Sequence, residues 1–90
     1  MKIQGQAIAG TLESNDVLVT VSPGGDGLEV EVESIVLNQF GEQIERAARA
    51  AAQELGVEKA HIHLNDRGAV ECTIKARVET ALRRGEGRQA

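Results

Sequence analysis

Val17-Leu18-Val19-Thr20-Val21-Ser22, Pro23-Gly24-Gly25-Asp26-Gly27 and Leu28-Glu29-Val30-Glu31-Val32-Glu33 follow one another without interruption, and their reading decides the fold. In the first run the valines take every second position. In the third, apolar residues alternate strictly with glutamates. Side chains of a strand point to opposite faces at every step, so both runs read as half-buried strands. The Pro/Gly/Asp-rich piece between them reads as a turn, and the two strands are expected to pair as an antiparallel hairpin.

Upstream, residues 3–9 form a weaker strand candidate, because Gly5 and the alanines dilute its β preference. Downstream, Ser34 is placed to cap a helix, in which Val36, Phe40, Ile44, Ala47, Ala48, Ala51 and Leu55 recur at three- and four-residue spacing as one apolar stripe. Gly56 is the expected stop, at the C′ position. Gly41 costs such a helix about 1 kcal/mol relative to Ala, which predicts close backbone packing there. Ala60, Ile62 and Leu64 then alternate against Val70, Cys72 and Ile74 across Asp66-Arg67-Gly68. A second hairpin is expected, with Gly68 in the left-handed position. A short helix should begin near Ala76, carrying Val78, Ala81 and Leu82 on its inner side. The outcome is an α+β fold: a small, mainly antiparallel sheet of about four to five strands packed by one long helix, with a short C-terminal helix. Residues 1–84 form a single domain and 85–90 a fraying tail.

Ninety residues suffice for one small core. Hydrophobic residues make up 41% of the chain, but Phe40 is the only aromatic, which removes the stacking platforms that single-stranded nucleic acids require. A net charge of -4 weighs against any polyanionic partner. No signal peptide is expected, and no apolar run approaches the roughly 20 residues of a membrane span. A single cysteine forms no internal disulfide, so the reducing cytoplasm is the expected compartment.

Few residues suggest chemistry. His61 and His63 share the outward face of a strand and could supply two metal ligands, but Cys72 is in phase with the core, and Glu71 is expected beside His63 as an ordinary cross-strand pair. A small buried thiol is the simpler reading of Cys72. Gly24-Gly25-Asp26-Gly27 leads into a strand rather than a helix, unlike a phosphate loop. The row Glu29, Glu31, Glu33 is equally a docking strip for a basic partner and the solvated face of a strand. Ser14, in the polar run Gly10-Thr11-Leu12-Glu13-Ser14-Asn15-Asp16, has no base at a catalytic spacing and is a poor nucleophile. By composition it is a turn residue in an exposed position.

Met1-Lys2-Ile3, the block Ala9-Gly10-Thr11-Leu12-Glu13-Ser14-Asn15-Asp16-Val17, Gln39-Phe40-Gly41, Asn65-Asp66-Arg67-Gly68-Ala69, Glu71-Cys72 and Ala76-Arg77-Val78-Glu79 together resemble the acyl-carrier (gamma) subunit of citrate lyase, in register from residue 1 to about 84. The Gly-Thr-x-Glu-Ser-x-Asp block is the most specific part. Many members of that family have Gly where this chain has Asn15, and Asn tolerates the same left-handed backbone.

The resemblance implies a non-catalytic carrier whose Ser14 holds, through a phosphodiester, a phosphoribosyl-dephospho-CoA arm bearing acetyl and citryl thioesters. It implies partners as well: the alpha (acyl transferase) and beta (citryl lyase) subunits, a prosthetic-group transferase and an acetylating ligase. Glu13 and Asp16 are then either recognition residues for attachment or docking, or simply caps of the turn. The carrier subunit of malonate decarboxylase, which uses the same kind of group, is the second family to weigh, and an unmodified interaction module is the third reading.

Overall fold

The structure, a computed structural model, describes residues 1–34 and 37–87, with 37–40 described by their backbone alone. Four strands and two helices follow in the order β1 (Ala7–Ala9), β2 (Val17–Ser22), β3 (Leu28–Ser34), α1 (Leu37–Glu54), β4 (Ala60–Asp66) and α2 (Glu71–Gly85). The α+β architecture with a mostly antiparallel sheet, a longer helix and a shorter C-terminal one is as expected.

The pairing of the strands differs from the expected one. The sheet order is β1-β2-β4-β3, so β4 lies between the two runs that were expected to form a hairpin. Val19 pairs with Leu64 and Val21 with Ile62 in antiparallel register, while Val30 pairs with Ile62 and Val32 with Leu64 in parallel. Alternation assigns a face to each strand but does not name its neighbour. The competition goes to β4, whose Ala60, Ile62 and Leu64 are wholly buried and which gains a ladder on both edges by taking the centre. The piece Pro23–Gly27 is thus a crossover past the start of β4. A Cβ on Gly24 would lie 2.6 Å from the Ala60 nitrogen, and the Ala60 amide donates to the Gly27 carbonyl at 3.1 Å.

The second hairpin is also absent. Residues 71–85 are helical, with Ile74, Val78, Ala81, Leu82 and Gly85 buried, a stripe at spacings of four, three, one and three that a helix satisfies and a strand does not. Cys72, expected in the core, is therefore exposed on the first turn of α2. Glu71 leaves the vicinity of His63. Gly68 does take the left-handed conformation, at φ 95°, but in a β4–α2 connection.

Both helices cover one face of the sheet, α1 lying against β3 and α2 against β1 and β2. Between them and the strands, Val17, Val19, Val21, Ile62, Leu64, Val78 and Leu82 form the centre of the core. Ile44, Ala47, Ala48 and Ala51 are buried as the stripe predicts, Ala52 joins them, and Leu55 is half-buried. The chain leaves α1 as expected at Gly56, φ 72°. The Gly56 amide donates to Gln53 at 3.0 Å and the Val57 amide to Ala52 at 2.9 Å, the paired bonds of a Schellman stop. Ser34, expected as a helix cap, is the last residue of β3, and its hydroxyl donates to Asp66 at 2.9 Å. The start of the helix beyond it, with Val36 and the Phe40 side chain, lies outside the described residues.

Of the upstream strand candidate only Ala7–Ala9 is extended in the sheet. Gln4 and Gly5 donate instead to the Gly85 carbonyl at 2.8 and 3.1 Å, tying the N-terminal segment to the end of α2. Gly85 itself is buried there. Of the rest of the expected tail, Glu86 and Gly87 close the end of the helix, their amides donating to the Leu82 and Arg84 carbonyls at 3.0 and 3.5 Å, and 88–90 lie outside the described residues. Among the described residues no helix is long and apolar enough to cross a membrane.

Candidate functional site: the Ser14 turn

The chain leaves β1 at Gly10 and enters β2 at Val17. Gly10 has φ 91°, and a Cβ there would fall 1.8 Å from the Val17 carbonyl oxygen and 3.3 Å from Cδ of Arg77. Only glycine fits where both ends of the loop converge under the Arg77 side chain.

Within the loop, the Asp16 amide donates to the Glu13 carbonyl at 3.1 Å, closing a β-turn over residues 13–16. Asn15, its third residue, has φ 67° and is the sole non-glycine residue with positive φ among the described residues. That is the type II pattern, which asks for Gly or Asn at this position. The Asn15 amide then donates to the Arg67 carbonyl at 2.8 Å, and the Arg67 amide to the Asp16 carbonyl at 2.9 Å. Two residues thus oppose one, with the first left-handed: a bulge of the G1 kind, formed with Asn in place of the usual glycine. Ser14 occupies the second turn position, ahead of the bulge, and is exposed.

Asp16 locks the turn from below. It accepts from Arg77 Nε at 3.0 Å and Nη2 at 3.1 Å, from the Thr11 hydroxyl at 2.7 Å and from the Val17 amide at 2.7 Å. The Arg77 hydrogen bonds, with those from Thr11 and Val17, lower its carboxyl from 3.8 to about 2. Thr11 also receives the Glu13 amide at 3.1 Å. Across the bulge, the buried Asp66 carboxylate accepts from Ser34 and from the Gly68 and Ala69 amides at 3.1 and 3.0 Å. It thereby fixes the 67–69 connection on which the Ser14 turn rests.

Of the residues expected to matter, Ser14 and Glu13 are both exposed on this turn. Asp16 is beside them but engaged by Arg77, and only 14% of its side chain is exposed. Arg77 and Asp66 were not singled out by sequence reasoning. The Asp-x-Gly pattern at 66–68 is a turn signal that points to Asp66. No local signal pairs Arg77 with a residue 61 positions earlier.

His61 and His63 lie on the open face of the sheet, each engaged by a glutamate from β3: Glu31 at 2.9 Å and Glu33 at 2.6 Å. Among the described residues no group of three or more His, Cys, Asp and Glu side chains is gathered as a metal site. The acidic row thus meets a histidine row within its own sheet.

Around Ser14 the structure gathers no catalytic set: its hydroxyl makes no hydrogen bond among the described residues, and the acid beside it is held by Arg77. Residues 4–85 match the family described as ACP, malonate decarboxylase delta subunit (MdcD). The citrate lyase acyl carrier protein of Escherichia fergusonii is 49% identical, with 93% of this chain and 88% of the relative covered. That of Treponema denticola is 49% identical, with 93% and 95% covered, and that of Rhodopseudomonas palustris 49%, with 93% and 87%. The chain belongs to the citrate lyase acyl carrier protein family. As a carrier it has a non-enzymatic role, and the expected resemblance holds over nearly the whole chain.

Proposed function

We propose that this carrier serves citrate lyase, with Ser14 as the attachment point of a phosphoribosyl-dephospho-CoA arm joined by a phosphodiester. The observation that carries the reading is the placement of Ser14: an exposed hydroxyl that makes no hydrogen bond among the described residues, at the corner of a turn secured by Asp16, Arg77 and the Arg67 bulge. The arm supplies a terminal thiol for acyl groups. The chain supplies a rigid base that leaves the arm free to sweep. A tether raises the local concentration of its cargo at each partner's active site without any new contact.

The reading includes the alpha and beta lyase subunits as partners, the transferase and ligase that load the arm, and a cytoplasmic setting. Glu13, exposed beside Ser14, is the residue offered to those partners, whereas Asp16 serves the turn. A second reading, service to malonate decarboxylase, has the family match in its favour. The relatives named for citrate lyase, at 49% identity, favour the first.

Co-production with the citrate lyase prosthetic-group transferase should add the mass of the arm, mapped by peptide analysis to Ser14, and Ser14→Ala should fold normally and stay unmodified. Reconstitution with either set of partner subunits then separates the substrates: turnover of citrate supports the first reading, turnover of malonate the second. Arm mass found on Ser22 or Ser34 would overturn the site.

A further inference from the structure

The residue opposite the bulge is an arginine. Arg67 exchanges its backbone amide and carbonyl with Asp16 and Asn15, but its side chain is exposed and makes no hydrogen bond or ion pair among the described residues. Arg77, which reaches this turn from α2, is committed to Asp16 through two bonds. An arginine side chain is longer than the ~5 Å between paired strands, so from its position across the bulge the Arg67 guanidinium can reach the Ser14 corner.

We propose that Arg67 is a phosphate-binding residue, the counter-charge for a phosphate ester on the Ser14 oxygen. The inference rests on the proposed attachment at Ser14 and adds a residue to it. A phosphate there sets a new negative charge beside Glu13, on a chain already at -4. Asp16 is paired with Arg77, so among the described residues Glu13 and the phosphate stand at the corner without a counter-charge. A guanidinium presents a planar fork of N–H donors that matches phosphate oxygens two at a time. Its backbone is immobilised by the same two hydrogen bonds that shape the turn, so less ordering is needed to form the pair than for an arginine on a free loop.

The test uses the full chain with a phosphate monoester on Ser14, introduced as genetically encoded phosphoserine, and so requires neither the transferase nor an active lyase. The Arg67 Nε–H resonance should shift between the unmodified and phosphorylated chains. The phosphate should titrate about half a pH unit lower in the native chain than in Arg67→Gln, with Arg67→Lys in between. An unmoved Arg67 resonance together with equal titration midpoints would overturn the proposal. If Arg67→Gln fails to fold, the resonance comparison in the native sequence decides alone. Arm mass at Ser14, measured separately, reports on the proposed function. A phosphate pairing without arm attachment would sink that function and leave the pairing standing.

Discussion

Arg77 and Asp16, 61 residues apart in sequence, face each other as a two-bond fork, Nε to Oδ1 at 3.0 Å and Nη2 to Oδ2 at 3.1 Å. This contact joins α2 to the Ser14 turn, so the position of the turn depends on the helix packing and not on the loop alone. The folded-state value of the Asp16 carboxyl, about 2, lies below its ordinary 3.8. The stabilisation is therefore complete above about pH 5 and is lost as the pH falls toward 2. Arg77 is 42% exposed, so solvent screening keeps the contribution modest. Asp16→Asn should cost about 1–2 kcal/mol at neutral pH, with the gap to the native chain closing by about pH 2. Urea titrations at several pH values measure it, and a gap unchanged from neutral to acid would show that the ionised pair is not its source.

Asn15 and Gly10 hold the positive-φ backbone of the site, at φ 67° and 91°. Asn15→Gly should leave stability within about 0.5 kcal/mol, whereas Asn15→Ala should cost about 1 kcal/mol, because alanine keeps a Cβ in the left-handed region but loses the short polar side chain whose local interactions let asparagine adopt it. Gly10→Ala is the severe case. Its Cβ would sit 1.8 Å from the Val17 oxygen, and the loop must open to admit it, costing upward of about 2 kcal/mol. Denaturation midpoints rank the three variants. Equal losses for Asn15→Gly and Asn15→Ala would mean that the amide side chain, not the backbone angle, matters.

Which of these features the sequence announces depends on whether their cause is local. The helix stop at Gly56, the left-handed Gly68 and the tolerance of Asn15 for positive φ follow from short-range sterics, and each was legible. The faces of β2, β3 and β4 were legible from alternation. Their order was not, because Val19 can present the same face to Val30 or to Leu64, and only the competition for a two-sided central position selects β4. Cys72 and Ile74 show a different failure. Five residues, 70–74, fit a period of two, and it takes Val78, Ala81, Leu82 and Gly85 to establish that the helical period already includes Ile74. The exposed Ser14 turn was legible as a turn, but its anchor at Arg77 is a tertiary contact with no local signature.

The strand order is open to direct chemical test. Thr20 and His63 are registered partners across β2 and β4, at a separation that antiparallel neighbours share with disulfides. In a Cys72→Ser background, Thr20→Cys combined with His63→Cys should close an internal disulfide on mild oxidation, and the monomer should run faster on a non-reducing gel. Thr20→Cys combined with Glu31→Cys should not, because β4 separates the two strands. Ready closure of the second pair would restore the hairpin.

Cys72 gives the sharpest reading of where α2 begins. On the apolar face of a strand its thiol would be shielded and would react with a disulfide reagent only as the protein opens. Exposed on the first helical turn, it should react in the native state at a rate within about tenfold of that in denaturant, because access and not unfolding limits the reaction. The rate should also be insensitive to stabilising conditions, since no opening step precedes it. A native-state rate suppressed a hundredfold or more, and rising with added urea below the unfolding transition, would return Cys72 to the core and the segment to a strand.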